Sequence, residues 1–145
     1  MAKFSTGLRT GMVYATGARE ALQGGALKIF SGAVPADADA AETGTLLAEF
    51  TDNGGGGGLN FEVPTAPVLT KAAAQVWKDN SVNATGNASY FRFVATGDTG
   101  GASTTAARIQ GTAGLAGSDL VLGNIVFTAA EARTLNYFSV ALPTL

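Results

Sequence analysis

The chain is predicted to be all-β: a single antiparallel β-sandwich or jelly-roll-like domain preceded by an N-terminal arm or short helix. Three observations carry that expectation. Eight or nine short segments are apolar or alternate in polarity, as half-buried strands do. Turn residues recur roughly every 8–14 positions, the spacing of sandwiches and jelly rolls. One stretch near the start, residues 4–22, has helical spacing instead. The expected division is an arm over residues 1–25 and a β-sandwich domain over 26–145.

At 145 residues the chain can bury a core of its own. Only 14% of it is charged, against about 25% in typical soluble domains. A surface this short of charge is either covered by other subunits or simply built of neutral Gly, Ala and Thr. The net charge of −2 comes with no Lys/Arg cluster, so no basic stripe is present to displace counterions from nucleic acid. No apolar run approaches a membrane span. Residues 1–11 lack the apolar centre of a signal peptide, and the expectation is a protein made without Sec export.

Within residues 4–22, Leu8, Met12 and Ala15 follow i, i+4, i+7 spacing, and Ala18 and Leu22 extend the stripe. Gly7, Gly11 and Gly17 weaken it, each by about 1 kcal/mol relative to Ala. The break is expected at Thr16-Gly17, with a short helix over 18–22 closed by Gly24-Gly25. Such a segment must lie on its own sheet or on a neighbour.

Residues 27–50 organise the rest of the chain. Leu27 and Ile29 point one way and Lys28 and Phe30 the other. Ser31-Gly32 ends that strand, an acidic, alanine-rich loop carries Pro35, Asp37 and Asp39, and Gly44 leads into a strand over 45–50. Gly54–Gly58 is read as a flexible tip; it lacks the Lys-Ser/Thr ending of a phosphate loop. Residues 59–63 read as a strand stopped by Pro64. Residues 68–77 are ambiguous between helix and strand, with Trp77 a core or rim anchor or, alternatively, an aromatic platform for sugar. The strongest strand is 88–95, with Phe91 and Phe93 on one side and Tyr90, Arg92 and Val94 on the other. A short strand over 107–111 comes next. Residues 119–128 alternate about Gly123-Asn124, a tight hairpin or bulge. The last strand is 136–142, with Phe138, Val140 and Leu142 on one face.

Catalytic groups are scarce. The chain has no His and no Cys, which removes the commonest general base, thiol nucleophiles, thiolate metal sites and disulfides together. Asp37, Asp39 and Glu42 form the one acidic cluster, but without the calcium-loop pattern; a turn hydrogen bond from Asp39 or Thr43 is expected there. Glu49 and Glu62 sit in expected strands and face outward, unlike a glycosidase acid held in an apolar pocket. The expectation is a non-enzyme with no catalytic residue, cofactor or metal.

Across nearly its whole length the chain resembles a family of small tailed-bacteriophage virion structural proteins. The resemblance lies in Leu27-Lys28-Ile29-Phe30-Ser31-Gly32, Pro35-Ala36 with Asp37 and Asp39, and Ala88 with Tyr90-Phe91-Arg92. It continues in Gln110-Gly111-Thr112 with Gly114, Gly117, Asp119 and Leu120. It implies a virion protein, foremost a capsid decoration or cement protein that binds the major capsid protein or other virion subunits, itself a homo-oligomer. A neck, tail or fibre component, or a glycan-binding module, are the alternatives. Candidate interface residues are Phe4, Leu8, Met12, Tyr14, Trp77 and Tyr90.

Overall fold

A computed structural model describes residues 1–14 and 17–141. In chain order the elements are β1 (Lys3–Phe4), α1 (Thr6–Tyr14), α2 (Ala18–Leu22), β2 (Ala26–Ser31) and β3 (Thr45–Asp52). Then come β4 (Val68–Thr70), β5 (Trp77–Asp79), β6 (Gly86–Asn87) and β7 (Tyr90–Val94). The last are β8 (Arg108–Gly114), β9 (Leu120–Val121), β10 (Val126–Phe127), β11 (Arg133–Leu135) and β12 (Ser139–Ala141). Seven strands run β1-β8-β7-β2-β3-β5-β11 in an antiparallel sheet, and β9 joins it beside β8. Two-stranded ribbons, β10-β6 and β12-β4, complete an all-β domain.

The sheet has two buried faces. Alternation along β2, β7 and β8 sends Leu27, Ile29, Phe91, Phe93 and Ile109 to one side, all buried. There they meet Phe61, Trp77 and Phe138. Trp77 lies 5.4 Å, centroid to centroid, from Phe138 and 5.7 Å from Phe61. Phe91 stands edge-on to Phe138 at 5.7 Å, the T-shaped geometry that aromatic quadrupoles favour. Each of these rings contributes roughly 1.5–3 kcal/mol by leaving water. Trp77 is thus the core anchor and not a sugar platform.

The N-terminal segment belongs to the same core. Leu8, Ala18 and Leu22 are buried in it, and β1 pairs with β8 through Lys3↔Gln110 and Phe4↔Ile109. Gly7 permits the approach, since a Cβ there would lie 2.3 Å from the Thr105 carbonyl oxygen. The helix break expected at Thr16-Gly17 leaves α2 over the anticipated residues, followed by Gly24 at φ +81°. Residues 15 and 16 lie outside the described residues.

Several strand expectations change. Residues 59–63 make only isolated bridges, Gly25↔Leu59 and Phe61↔Lys71, because Pro64 and the following bends stop a ladder from extending. β8 runs on to Gly114, past the expected end at 111. The Gly123-Asn124 hairpin does not form: β9 pairs in parallel with β8, and β10 antiparallel with β6. Asn124 instead accepts the Val126 N–H at 2.9 Å in a local turn. Asp119 and Thr112 exchange hydrogen bonds of 2.9 and 3.0 Å that fold β9 back onto β8. Leu142 lies outside the described residues. The glycine tip is closed by Asp52 N–H to Gly57 O at 2.8 Å, and the Asn80 amide donates to the Asn53 and Gly54 carbonyls.

Candidate functional site

The second face of the sheet carries the one concentration of charged chemistry. In register across β3, β2, β7, β8 and β1 stand Glu49, Lys28, Arg92, Gln110 and Lys3. Directly opposed residues share a face, so this is a polar row across five strands. Sequence alternation places Arg92 and Tyr90 on this side. What covers them is the loop of residues 33–43, laid across the row as a strap.

Almost every contact between row and strap ends on a main-chain carbonyl. Arg92 Nη1 donates to Ala40 O at 2.9 Å, and its Nε donates to Gln110 Oε1 at 3.2 Å. Gln110 Nε2 donates to Pro35 O at 2.9 Å. Lys3 Nζ reaches Ala36 O at 2.6 Å. Tyr90 Oη donates to Thr43 O at 2.6 Å and accepts the Thr43 N–H at 3.1 Å. Its ring stacks on Phe30 with centroids 4.7 Å apart. Lys28 forms an ion pair with Glu42 at 3.0 Å.

Beside Arg92 lies a second buried guanidinium. Arg108 grips Asp98 through Nε at 2.5 Å and Nη2 at 2.7 Å, and its Nη1 donates to Ala38 O at 3.2 Å. Burial pushes the Asp98 carboxyl up. The Arg108 hydrogen bond, the Gly100 N–H and nearby positive charge together outweigh that, and the carboxyl sits below its ordinary range. Burial, and then the Arg108 charge, push the Arg92 guanidinium down. Arg92 has no carboxylate within ion-pair distance among the described residues. Delocalised, weakly hydrated guanidinium tolerates such a carbonyl-lined site better than ammonium would.

This cluster is a brace. A guanidinium does not exchange protons near neutral pH, and no buried side-chain nitrogen or oxygen among the described residues lacks a hydrogen-bond partner. The acidic cluster is likewise divided. Asp37 accepts the Asp39 and Ala40 N–H groups at 3.0 and 2.8 Å, the local turn expected of this loop but made by a different residue. Asp39 instead caps α1 from across the fold, accepting the Thr6 N–H at 2.7 Å and its hydroxyl at 2.5 Å. The Thr6 hydroxyl, foremost, holds the Asp39 carboxyl below its ordinary value. Among the described residues no three acidic groups converge as a metal site would require.

Three candidate interface residues are corrected. Leu8, Trp77 and Tyr90 are fully buried: helix spacing and aromatic character place them in packing, and Tyr90 is covered by the strap. Neither aromatic presents a ring to a ligand. Phe4 and Met12 are half-buried and pack on the core edge; the Tyr14 side chain lies outside the described residues.

Met1 (94% exposed) and Val13 (89%) are the apolar residues of that N-terminal segment that stand in solvent, and further exposed apolar residues lie along the chain. Leu115 is 58% exposed, and Val121 (59%) and Tyr137 (70%) line a cleft of about 370 Å³ floored by Phe50, Phe127 and Leu135 and bordered by Arg133. Val63, 73% exposed, projects with Pro64 and Pro67 beside α2. Sequence reasoning misses both. Leu115 sits in a segment that reads as a turn, and Tyr137 reads as the polar side of a strand that begins only at Ser139. No family model, curated protein or solved structure matches this chain.

Proposed function

We propose that the protein is a structural subunit of a tailed-phage particle, foremost a capsid decoration protein that binds the assembled head shell. One observation carries the reading: most basic side chains are engaged by the chain's own carbonyls, while several large apolar side chains stand in solvent. Six of its nine basic side chains, Lys3, Arg19, Lys71, Arg92, Arg108 and Arg133, donate to main-chain carbonyls. Large apolar residues meanwhile stand in solvent near the 370 Å³ cleft and at residues 63–67. Exposed apolar patches rimmed by polar residues mark protein contact surfaces. The strap-braced face adds stiffness, which lowers the entropy lost on docking. The resemblance in residues 27–39, 88–92 and 110–120 supplies the particle. Catalysis has no support in the brace, whose hydrogen-bonding groups are already engaged.

The test is to add the purified protein to assembled shells that lack it and image them by cryo-electron microscopy with a labelled antibody fragment. Label spread over the shell is the expected result. Label confined to one vertex or to the tail would replace decoration with a neck or tail role. No label on any part of the particle would overturn the proposal.

A further inference from the structure

We propose that copies of this chain associate with one another, the Glu62-Val63-Pro64 edge of one seating in the Arg133–Val121–Tyr137 cleft of another. The cleft has a defined chemistry. Arg133 is the only charged residue lining it among the described residues. Its guanidinium is fixed by donation to Asn124 O at 2.7 Å and Val126 O at 3.2 Å, and it lies 4.4 Å from the Phe127 ring centroid. No carboxylate pairs with it among the described residues. The cleft therefore offers a held positive charge flanked by exposed Val121 and Tyr137, with the polar Asn124, Thr134 and Asn136 around it and Phe50, Phe127 and Leu135 buried beneath. Its complement is a carboxylate next to a branched apolar side chain on an extended segment.

The chain carries that complement on its own surface. Residues 62–67 are all exposed. The Glu62 carboxylate accepts one N–H, from Ala73, and forms no ion pair among the described residues. Val63 beside it is 73% exposed. Pro64 and Pro67 limit the backbone freedom this edge would lose on docking. Opposite charges set the register, and Val63 supplies the apolar contact. The edge and the cleft are distinct patches: related by a two-fold axis they make a dimer that uses the contact twice, and related head to tail they generate a ring where the rotation closes. It is a property of the free protein and holds whether or not the protein binds a shell.

Sedimentation velocity on the whole chain tests it across a range of concentrations. The wild type is expected to sediment above the 14.5 kDa monomer, more weakly at high salt. Glu62→Arg and Arg133→Glu should each weaken association at least tenfold, and the double swap should restore it. A wild type that stays monomeric to millimolar concentration overturns the proposal, as does a double swap no better than either single one. Because Arg133 also holds the turn at Asn124, Val63→Ser and Tyr137→Ser serve as variants that disturb no side-chain hydrogen bond. Both should weaken association, and unchanged association in both also overturns it.

Discussion

Ser5 and Arg108, 103 residues apart, are joined twice: Ser5 N donates to Arg108 O at 3.0 Å, and Arg108 N donates to Ser5 Oγ at 2.8 Å. The same hydroxyl donates to Ala106 O at 2.8 Å and accepts the Leu8 N–H at 3.1 Å, the N-cap bond of α1. One buried side chain thus ends β1, starts α1 and fixes both to β8. Ser5→Ala leaves two buried N–H groups without an acceptor, each worth about 1–3 kcal/mol. The expected loss in urea unfolding is about 2–4 kcal/mol. A change below about 0.5 kcal/mol would mean that another group takes over the cap.

Removal of residues 1–17 is expected to destabilise the whole domain, since it strips β1, Leu8 and the Ser5 junction from the core. Thermal unfolding followed by circular dichroism measures this. A truncated chain that melts at the full-length temperature would show that the segment is an appended arm, as the glycine-broken helix pattern suggests when read alone.

The Arg108–Asp98 pair makes the fold acid-sensitive. Its carboxyl titrates below the ordinary value of about 3.9, so the folded state binds its proton less readily than the unfolded chain. That contribution is complete above the unfolded value and is lost as pH falls through the lower folded one. Melting temperature should therefore fall as pH drops below about 4. Asp98→Asn should cost about 3–5 kcal/mol at neutral pH by leaving Arg108 unpaired, and should flatten the acid limb. A pH profile identical to wild type would remove Asp98 from this role.

Phe91 lies on the apolar face of the central strand and stands edge-on to Phe138. Phe91→Ala should cost about 3–5 kcal/mol, measured by denaturant midpoint at constant m-value. A loss under about 1 kcal/mol would show that the site collapses around the smaller side chain.

At Gly44, φ is +75° and a Cβ would lie 1.9 Å from the Ser31 carbonyl oxygen. Gly44→Ala should therefore shift the start of β3 and lower the melting temperature clearly. Gly56→Ala, with open space at the glycine tip, should cost much less because only its positive φ is strained. Equal effects would contradict the packing described at Gly44.

The strands whose alternation is strong are legible in the sequence. Period-two patterning in residues 27–30 and 88–95 assigns Leu27, Ile29, Phe91 and Phe93 to one face and Lys28, Tyr90 and Arg92 to the other, and both faces hold. The all-β class, the break before α2 and the turn after Phe30 rest on the same local chemistry. Partnership is not legible. Residues 119–128 show two alternating pieces about Gly-Asn, and nothing local says that the first seeks β8 and the second β6. Nor does any spacing reveal that an alanine-rich loop directs the carbonyls of Pro35, Ala36, Ala38 and Ala40 at Gln110, Lys3, Arg108 and Arg92. Main-chain acceptors are the same in every residue and leave no mark in a sequence.

Sequence alone therefore determined the class of fold, the two faces of its central strands and the scarcity of catalytic groups, because side-chain polarity and turn chemistry are local properties. Tertiary structure decided which strand meets which, that Tyr90 and Trp77 are buried, and that two arginines form a brace under a strap. It also decided that Val63 and Tyr137 stand in solvent. Those outcomes depend on long-range closure, in which each buried donor takes whichever carbonyl the folded chain brings within about 3 Å.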